Sequence, residues 1–268
     1  MKTFYFVSGM ARSGSTLLQN ILAQNPRFHC THTSGCLDVL FGVRNSWSQL
    51  VEHQAHPDDA ALLRVQKAIL EAYYADVEKP VIFDKSRGWG AYAEMTETIL
   101  GTRMKILVPI RNMPDVMASM EKLHRETSKT RQPPGEMNPN NPDQYFQMQT
   151  VAGRCEFWAS GNQVVGIAYN RIKDAIRRGF RDRMHFVEFE KLTSEPQKTM
   201  EGIYAFLGEE RFQHDFEKVE QKTTENDEVH GYTGLHTIHP KVTHKPSHAV
   251  EILGKDLAGK LAMMNLEF

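Results

Sequence analysis

Cysteine is scarce: the 268 residues hold three, Cys30, Cys36 and Cys155. An odd number without metal-ligand spacing disfavours a disulfide framework and fits a reducing compartment. Neither charge is in excess, since 32 Lys and Arg face 33 Asp and Glu for a net charge of -1. No global field therefore recruits nucleic acid or an anionic membrane, and a polyanionic ligand must be held by local groups. Long apolar runs are also missing: nothing approaches the ~20 residues needed to cross a bilayer. The stretch Phe4 to Val7 stops at Ser8-Gly9, too short for a signal-peptide core. A soluble, cytoplasmic chain with neither nucleic-acid nor membrane partners is expected. The rest is ordinary, with 40% hydrophobic and 24% charged residues, near the average for globular proteins. No repeat or linker divides the chain, so residues 1–268 read as a single domain with one substantial core.

The chain opens strand, glycine turn, helix. Phe4 to Val7 is apolar, and after a Gly/Ser-rich turn Leu17, Leu18, Ile21 and Leu22 recur at helical spacing up to Asn25-Pro26. Pro80 to Phe83 and Met104 to Ile110 are further compact strands, leading to Asp84-Lys85-Ser86 and Arg111-Asn112. A helix over Ala91 to Leu100 ends at Gly101, and another starts at Met113-Pro114 with Asn112 as cap. Strands alternating with helices predict an α/β fold, a central parallel β-sheet flanked by helices. Ligands of such sheets lie beyond the carboxyl ends of the strands, so Ser8 to Thr16, Asp84 to Arg87 and Arg111-Asn112 should converge. Asp58 to Tyr74 and Arg154 to Phe180 read as packing helices, Met184 to Phe189 as a strand, and Pro196 to Leu207 as a helix closed by Gly208. Two stretches look irregular. Thr127 to Asp143 holds four prolines and three asparagines, and Thr223 to Val250 holds five of the twelve histidines; both suit loops near a site.

Gly9-Met-Ala-Arg-Ser-Gly-Ser-Thr16 lies between strand and helix, where backbone N–H groups and the helix dipole surround an anion. The nucleoside-triphosphate loop G-x-x-x-x-G-K-[ST] needs lysine where this chain has Ser15. Here the positive charge has moved to Arg12. Arg12 with the hydroxyls of Ser13, Ser15 and Thr16 suits a terminal phosphate or sulfonate.

The segment from Phe6 through Arg12-Ser-Gly-Ser-Thr16-Leu-Leu to Asn25-Pro26 resembles the 5′-phosphosulfate loop of sulfotransferases that use 3′-phosphoadenosine 5′-phosphosulfate (PAPS), most closely in motif the tyrosylprotein and carbohydrate types. The resemblance implies a P-loop NTPase-like sulfotransferase fold in which Arg12, Ser13, Gly14, Ser15 and Thr16 hold the 5′-phosphate and the transferring sulfonate. Ile106 to Ser119 is similar to the family's 3′-phosphate signature, an arginine ending a strand and a serine eight residues later, here Arg111 and Ser119. Phe189 stands where the family's Tyr-Glu-x-Leu segment has tyrosine, leaving ring packing without the hydroxyl. Lys245-Pro246 resembles a Lys-Pro that touches the cofactor.

On this resemblance PAPS is the cofactor and 3′,5′-adenosine bisphosphate (PAP) the product. Lys85 matches a family lysine that stabilises charge on the leaving phosphate, with Arg12 sharing the task. For the base, alignment from Asn25-Pro26 puts His32 where tyrosylprotein enzymes carry glutamate, and a histidine near its unperturbed pKa suits a hydroxyl acceptor. His29 is a substitute, and a loop histidine without a catalytic role is an equal alternative. The pairs His236/His239 and His244/His248 lack a zinc-type cysteine or carboxylate pattern, and Pro240 and Pro246 break any helix between them; no metal is expected. The acceptor, whether small molecule, carbohydrate or peptide, would be set by the two irregular stretches. Two other readings stand beside this one. A P-loop small-molecule kinase or nucleoside triphosphatase would use Val81 to Asp84 as its magnesium-holding strand, against which Ser15 counts. A binding protein that kept the cradle and lost the chemistry is the other.

Overall fold

The structure is a computed structural model that describes residues 2–134 and 142–266. Its centre is a five-stranded sheet of β1 (Thr3–Val7), β2 (Phe28–Thr33), β3 (Val81–Lys85), β4 (Ile106–Ile110) and β5 (Met184–Glu188). The order is β2-β3-β1-β4-β5 and every pairing is parallel. Every position of β3 and β4 is buried, as expected when helices cover both faces of a parallel sheet. Alternate side chains enter opposite core layers: Phe6, Ile82, Ile106 and Val108 on one side, Tyr5, Val7, Phe83, Leu107 and Val187 on the other.

Helices follow in chain order: α1 (Ser15–Leu22), α2 (Cys36–Gln49), α3 (Val51–Ala55), α4 (Asp59–Tyr73), α5 (Ala93–Leu100), α6 (Met113–Thr127) and α7 (Pro142–Met148). After them come α8 (Val151–Ala159), α9 (Val164–Arg177), α10 (Phe189–Ser194), α11 (Pro196–Leu207), α12 (Ala249–Leu253) and α13 (Lys255–Ala262). Leu18, Ile21 and Leu22 of α1 share a layer with Met200, Ile203 and Leu207 of α11; residues of α2, α4, α5, α6, α8 and α9 build the other. The expected punctuation is present. Asp58 accepts from Ala61 N–H at 2.8 Å to start α4, and Asn112 accepts from Asp115 N–H at 3.0 Å to start α6, with Pro114 in the first turn.

Four details differ from the sequence reading. The segment after Asn25-Pro26 is the edge strand β2, because Asn25 Oδ1 accepts from Arg27 N–H at 3.0 Å and turns the chain back onto β3. Its mixed pattern, with His32 exposed, conceals a strand paired along one edge. Residues 154–180 form two helices: the carbonyls of Ala159 and Ser160 lie so close to Gly166 that no side chain fits there, and the chain turns at 160–163. Phe189 begins α10 instead of ending β5. Of the stretch 127–143, α6 takes in Thr127, α7 begins at Pro142, and residues 135–141 lie outside the described residues.

β1 sits between β3 and β4. From β1 the chain crosses to edge strand β2, returns through β3 and then passes β1 to reach β4 and β5, so the connections after β1 and β4 leave in opposite directions and the crevice beyond their carboxyl ends is the topological switch point of the sheet. Among the described residues no helix is long and apolar enough to cross a membrane.

Candidate active site

The turn from β1 to α1 is fixed by its own bonds. Met10 N–H reaches Pro109 carbonyl at 2.9 Å, and Ser13 Oγ donates to Met10 carbonyl at 2.6 Å. Ser13 is buried, so its hydroxyl closes the loop and only its backbone remains for a ligand. Arg12 and Gly14 take positive φ, 56° and 80°, a geometry that gathers successive N–H groups into an anion-binding concavity. Gly14 is required twice over: a Cβ there would be strained by φ and would meet the Phe189 ring at 2.5 Å. The N–H groups of Ser15, Thr16 and Leu17 open α1 without helical partners, and no acidic residue sits in that turn. The positive end of the dipole faces the crevice.

Three arginines surround this cradle. Arg111 leaves β4 and lays its guanidinium 4.4 Å over the Phe189 ring, while Arg111 Nη1 donates to Arg12 carbonyl at 3.4 Å. Its nearest carboxylate, Glu190, is 4.0 Å from Nε, and that buried Nε has no hydrogen-bond partner. Arg12 Nε donates to Ser119 Oγ on α6 at 3.0 Å and Nη1 to Leu235 carbonyl, so Ser119 is bonded to Arg12, whereas the spacing had associated it with Arg111. Arg87 leaves β3. Among the described residues neither Arg12 nor Arg87 has a carboxylate within 4.0 Å. Burial, and for Arg12 repulsion from Arg111, push both guanidinium pKa values down, though an arginine stays charged in a protein. Cations held this close in partial burial call for an anion from outside the chain. Arg12, Gly14, Ser15, Thr16, Arg87, Arg111, Ser119, Phe189 and Lys245 line one cleft of about 680 Å³, of ligand-site size.

The opposite wall is the irregular segment 223–250, tied down at intervals. Asn20 of α1 accepts from Lys222 and Thr223 N–H at 2.5 and 2.9 Å and donates to Thr223 Oγ1 at 2.9 Å. Thr233 N–H reaches Thr127 Oγ1 at 3.2 Å, and Ser247 Oγ donates to Asp115 at 2.6 Å. This strap carries a group of residues that the sequence reading passed over. Glu225 Oε1 accepts from Lys85 Nζ at 3.0 Å and from the N–H and hydroxyl of Thr33 at 2.9 Å each. Burial alone would raise the Glu225 pKa, but Lys85 and the Thr33 N–H bring it down to about 2. Burial pulls Lys85 down against the pull of Glu225. His236 Nδ1 lies 2.6 Å from Asp227 Oδ1, and His236 N–H donates to Asp227 Oδ2 at 3.1 Å. Two bonds to one carboxylate fix the ring's place and direct its Nε2 toward Glu225 Oε2, 3.6 Å away. Burial, opposed by the bond to Asp227, lowers the His236 pKa. His236 also lines the cleft.

His32 is not brought into this group. It is exposed on edge strand β2, with Nδ1 2.8 Å from Thr33 carbonyl, and is not among the cleft-lining residues. His29 faces the Tyr74 ring. Lys85 stands behind the wall, joined to it through Glu225. His239 and His248 also line the cleft, His244 Nδ1 lies 3.3 Å from Thr193 Oγ1 and His248 pairs with Glu251. The missed signal for His236 was Asp227, nine residues earlier, a separation with no helical or strand period to expose it. Asp84, the aspartate a magnesium site would need, is fully buried and accepts from Ser34 at 2.7 Å, Trp89 at 2.7 Å and Tyr74. Its oxygens are committed to the core.

A parallel sheet with this strand order, an anion cradle after its central strand and arginines on both neighbours define a phosphate- or sulfonate-handling enzyme class. The sulfotransferase family profile matches residues 5–214, more than half of the chain, and the chain belongs to that family. None of the curated proteins matches it. Among solved structures it is similar to the sulfotransferase domain from the curacin biosynthetic pathway, with 14% identity, TM-score 0.57, and coverage of 98% of this chain and 97% of that one. It is also similar to the sulfotransferase domain of the Synechococcus PCC 7002 olefin synthase, with 18% identity, TM-score 0.53, and coverage of 98% and 94%. Identities this low speak to fold alone.

Proposed function

We propose that the chain transfers a sulfonate group from PAPS to a hydroxyl acceptor, with the β1–α1 cradle holding the donor and the strap supplying the base. The observation that carries this reading is the set Arg12, Arg87 and Arg111, gathered at the cradle with little carboxylate to balance them. The residues fit the donor: Gly14 lets the Phe189 ring pack directly on the cradle, and the orphaned Arg111 Nε points to an anion beyond the chain. The cradle N–H groups, Arg12, Ser15 and Thr16 would hold the 5′-phosphosulfate end, and Arg111, Ser119 and Lys245 the 3′-phosphate end. Phe189 keeps Arg111 flat against its ring.

When bound, PAPS would supply the sulfonate, the electron pair of its broken S–O bond staying on the 5′-phosphate oxygen of PAP. His236 Nε2 accepts the acceptor's proton while the acceptor oxygen attacks, and Asp227 holds the tautomer that leaves Nε2 unprotonated. Asp227 is a positioning residue. Arg12 and Arg87, which line the cleft, offset the charge that develops on the leaving phosphate, and Lys85 acts from behind the wall by holding Glu225 in place.

The test is a calorimetric titration with PAP and, separately, with ATP and magnesium. PAP should bind tightly and ATP weakly; preference for ATP would move the chain to the kinase reading.

A further inference from the structure

One group of side chains in the strap has a geometry that base chemistry alone does not account for. Glu225 Oε1 is saturated by three donors, whereas among the described residues Oε2 has none within hydrogen-bond reach. Two imidazole nitrogens converge on Oε2 instead, His230 Nε2 and His236 Nε2, each at 3.6 Å. The three ligand atoms lie within 4.8 Å of one another, and the two rings stand 5.6 Å apart at 67°. Because His236 Nδ1 donates to Asp227, its Nε2 presents a lone pair to a carboxylate lone pair. Such an encounter is repulsive unless a proton or a metal ion lies between.

The geometry points to a site for a zinc-class divalent ion, bound by His230 Nε2, His236 Nε2 and Glu225 Oε2. Tetrahedral zinc with nitrogen and carboxylate ligands sets them about 3.3 Å apart, so the two 3.6 Å contacts to Glu225 need only a small contraction, and the two histidine nitrogens, within 4.8 Å, close by a side-chain adjustment of the exposed His230. Asp227 already occupies the outer position that orients metal-bound histidines, a carboxylate on the far ring nitrogen. Two histidines and a glutamate suit zinc better than the hard, oxygen-seeking magnesium or calcium. Of the three, His236 lines the cleft. Lys85 and Arg87 add positive charge nearby, which weakens the site relative to a structural zinc centre. This trio was invisible in the histidine spacing, since its members span Glu225, His230 and His236 and only His236 belonged to a pair considered there.

The ion takes the nitrogen that the proposed transfer uses as base, so it blocks the reaction; this consequence rests on that proposed function. His230 is exposed and takes no part in the transfer.

The test is calorimetry with zinc chloride on tag-free full-length chain, with cobalt(II) as a visible-absorption reporter of tetrahedral geometry, repeated on His230→Ala. One ion per chain should bind with a tetrahedral cobalt spectrum, and affinity should fall at least about tenfold in His230→Ala while thermal melting stays unchanged. Absence of uptake at about 100 μM zinc, or equal affinity in the variant, would overturn the site. For the block, sulfonate transfer by the unsubstituted chain should fall as zinc fills the site and return on chelation, with His230→Ala insensitive. Transfer unimpaired at full occupancy would overturn the block. The binding arm is read without any turnover, so failure of the proposed function shows separately from failure of the site.

Discussion

The cleft has two walls built on different principles. The cradle wall is local: within nine residues after β1 it has two positive-φ positions, an uncapped helix end and an arginine, and its shape follows from bonds between near neighbours. The strap wall is assembled at long range. Glu225 is set by Thr33 and Lys85, which precede it by 192 and 140 positions, and Leu235 by Arg12, 223 positions away. Local geometry suffices to bind an anion whose shape is constant. Placing a base against a variable acceptor takes groups from several elements, and an irregular segment tied at intervals can collect them.

The difference can be tested from its largest consequence downward. His236→Ala should lower sulfonate transfer by about a thousandfold, measured as PAP release across a panel of phenols, alcohols and sugars. His32→Ala, the base expected from alignment, should leave transfer within about twofold. The reverse pattern would return the base to the edge strand. On the other wall, Arg111→Ala removes a cation from the proposed 3′-phosphate position. PAP affinity should fall about 10- to 100-fold, the value of a charged hydrogen bond, while adenosine 5′-phosphosulfate, which lacks the 3′-phosphate, loses much less. An equal loss for both would place Arg111 elsewhere.

A smaller effect concerns the root of the strap. His214 is buried against Tyr204, with its Nε2 3.1 Å from the tyrosine hydroxyl, between Phe212 and Phe216. Burial lowers its pKa to about 4, below the roughly 6.5 of an unfolded chain. The unfolded state therefore takes up the proton first as pH falls. The contribution is fully present above about pH 6.5 and is lost on the way down to about 4, amounting to about 3 kcal/mol at the acid end. Urea unfolding of the unsubstituted chain and of His214→Gln should lose stability at different rates across that window, the variant more slowly. Parallel curves would remove His214 from the acid response.

The two walls also differ in how far they could be read from the chain. The strand-turn-helix opening, the strands leading to Lys85 and Arg111, the Asn112 cap and the glycine stops at 101 and 208 all follow from periodicity and turn chemistry. β2 escaped because an edge strand with one open face carries histidines and threonines at positions where an inner strand would be apolar. Arg12, Ser15, Thr16, Arg111 and Ser119 were found by motif and do line one cleft. Arg87, Glu225, Asp227 and His236 were not. No spacing rule connects residues that meet only because Asn20 and Thr33 hold the strap to the sheet.

The central claim is that the cradle binds and the strap reacts. It is tested most directly by the affinity of His236→Ala for PAP, measured by calorimetry beside the unsubstituted chain. A dissociation constant unchanged within about twofold, in a variant that no longer transfers sulfonate, is the predicted result. A tenfold or greater loss of PAP affinity, about 1.4 kcal/mol, would contradict it and make His236 part of the cradle.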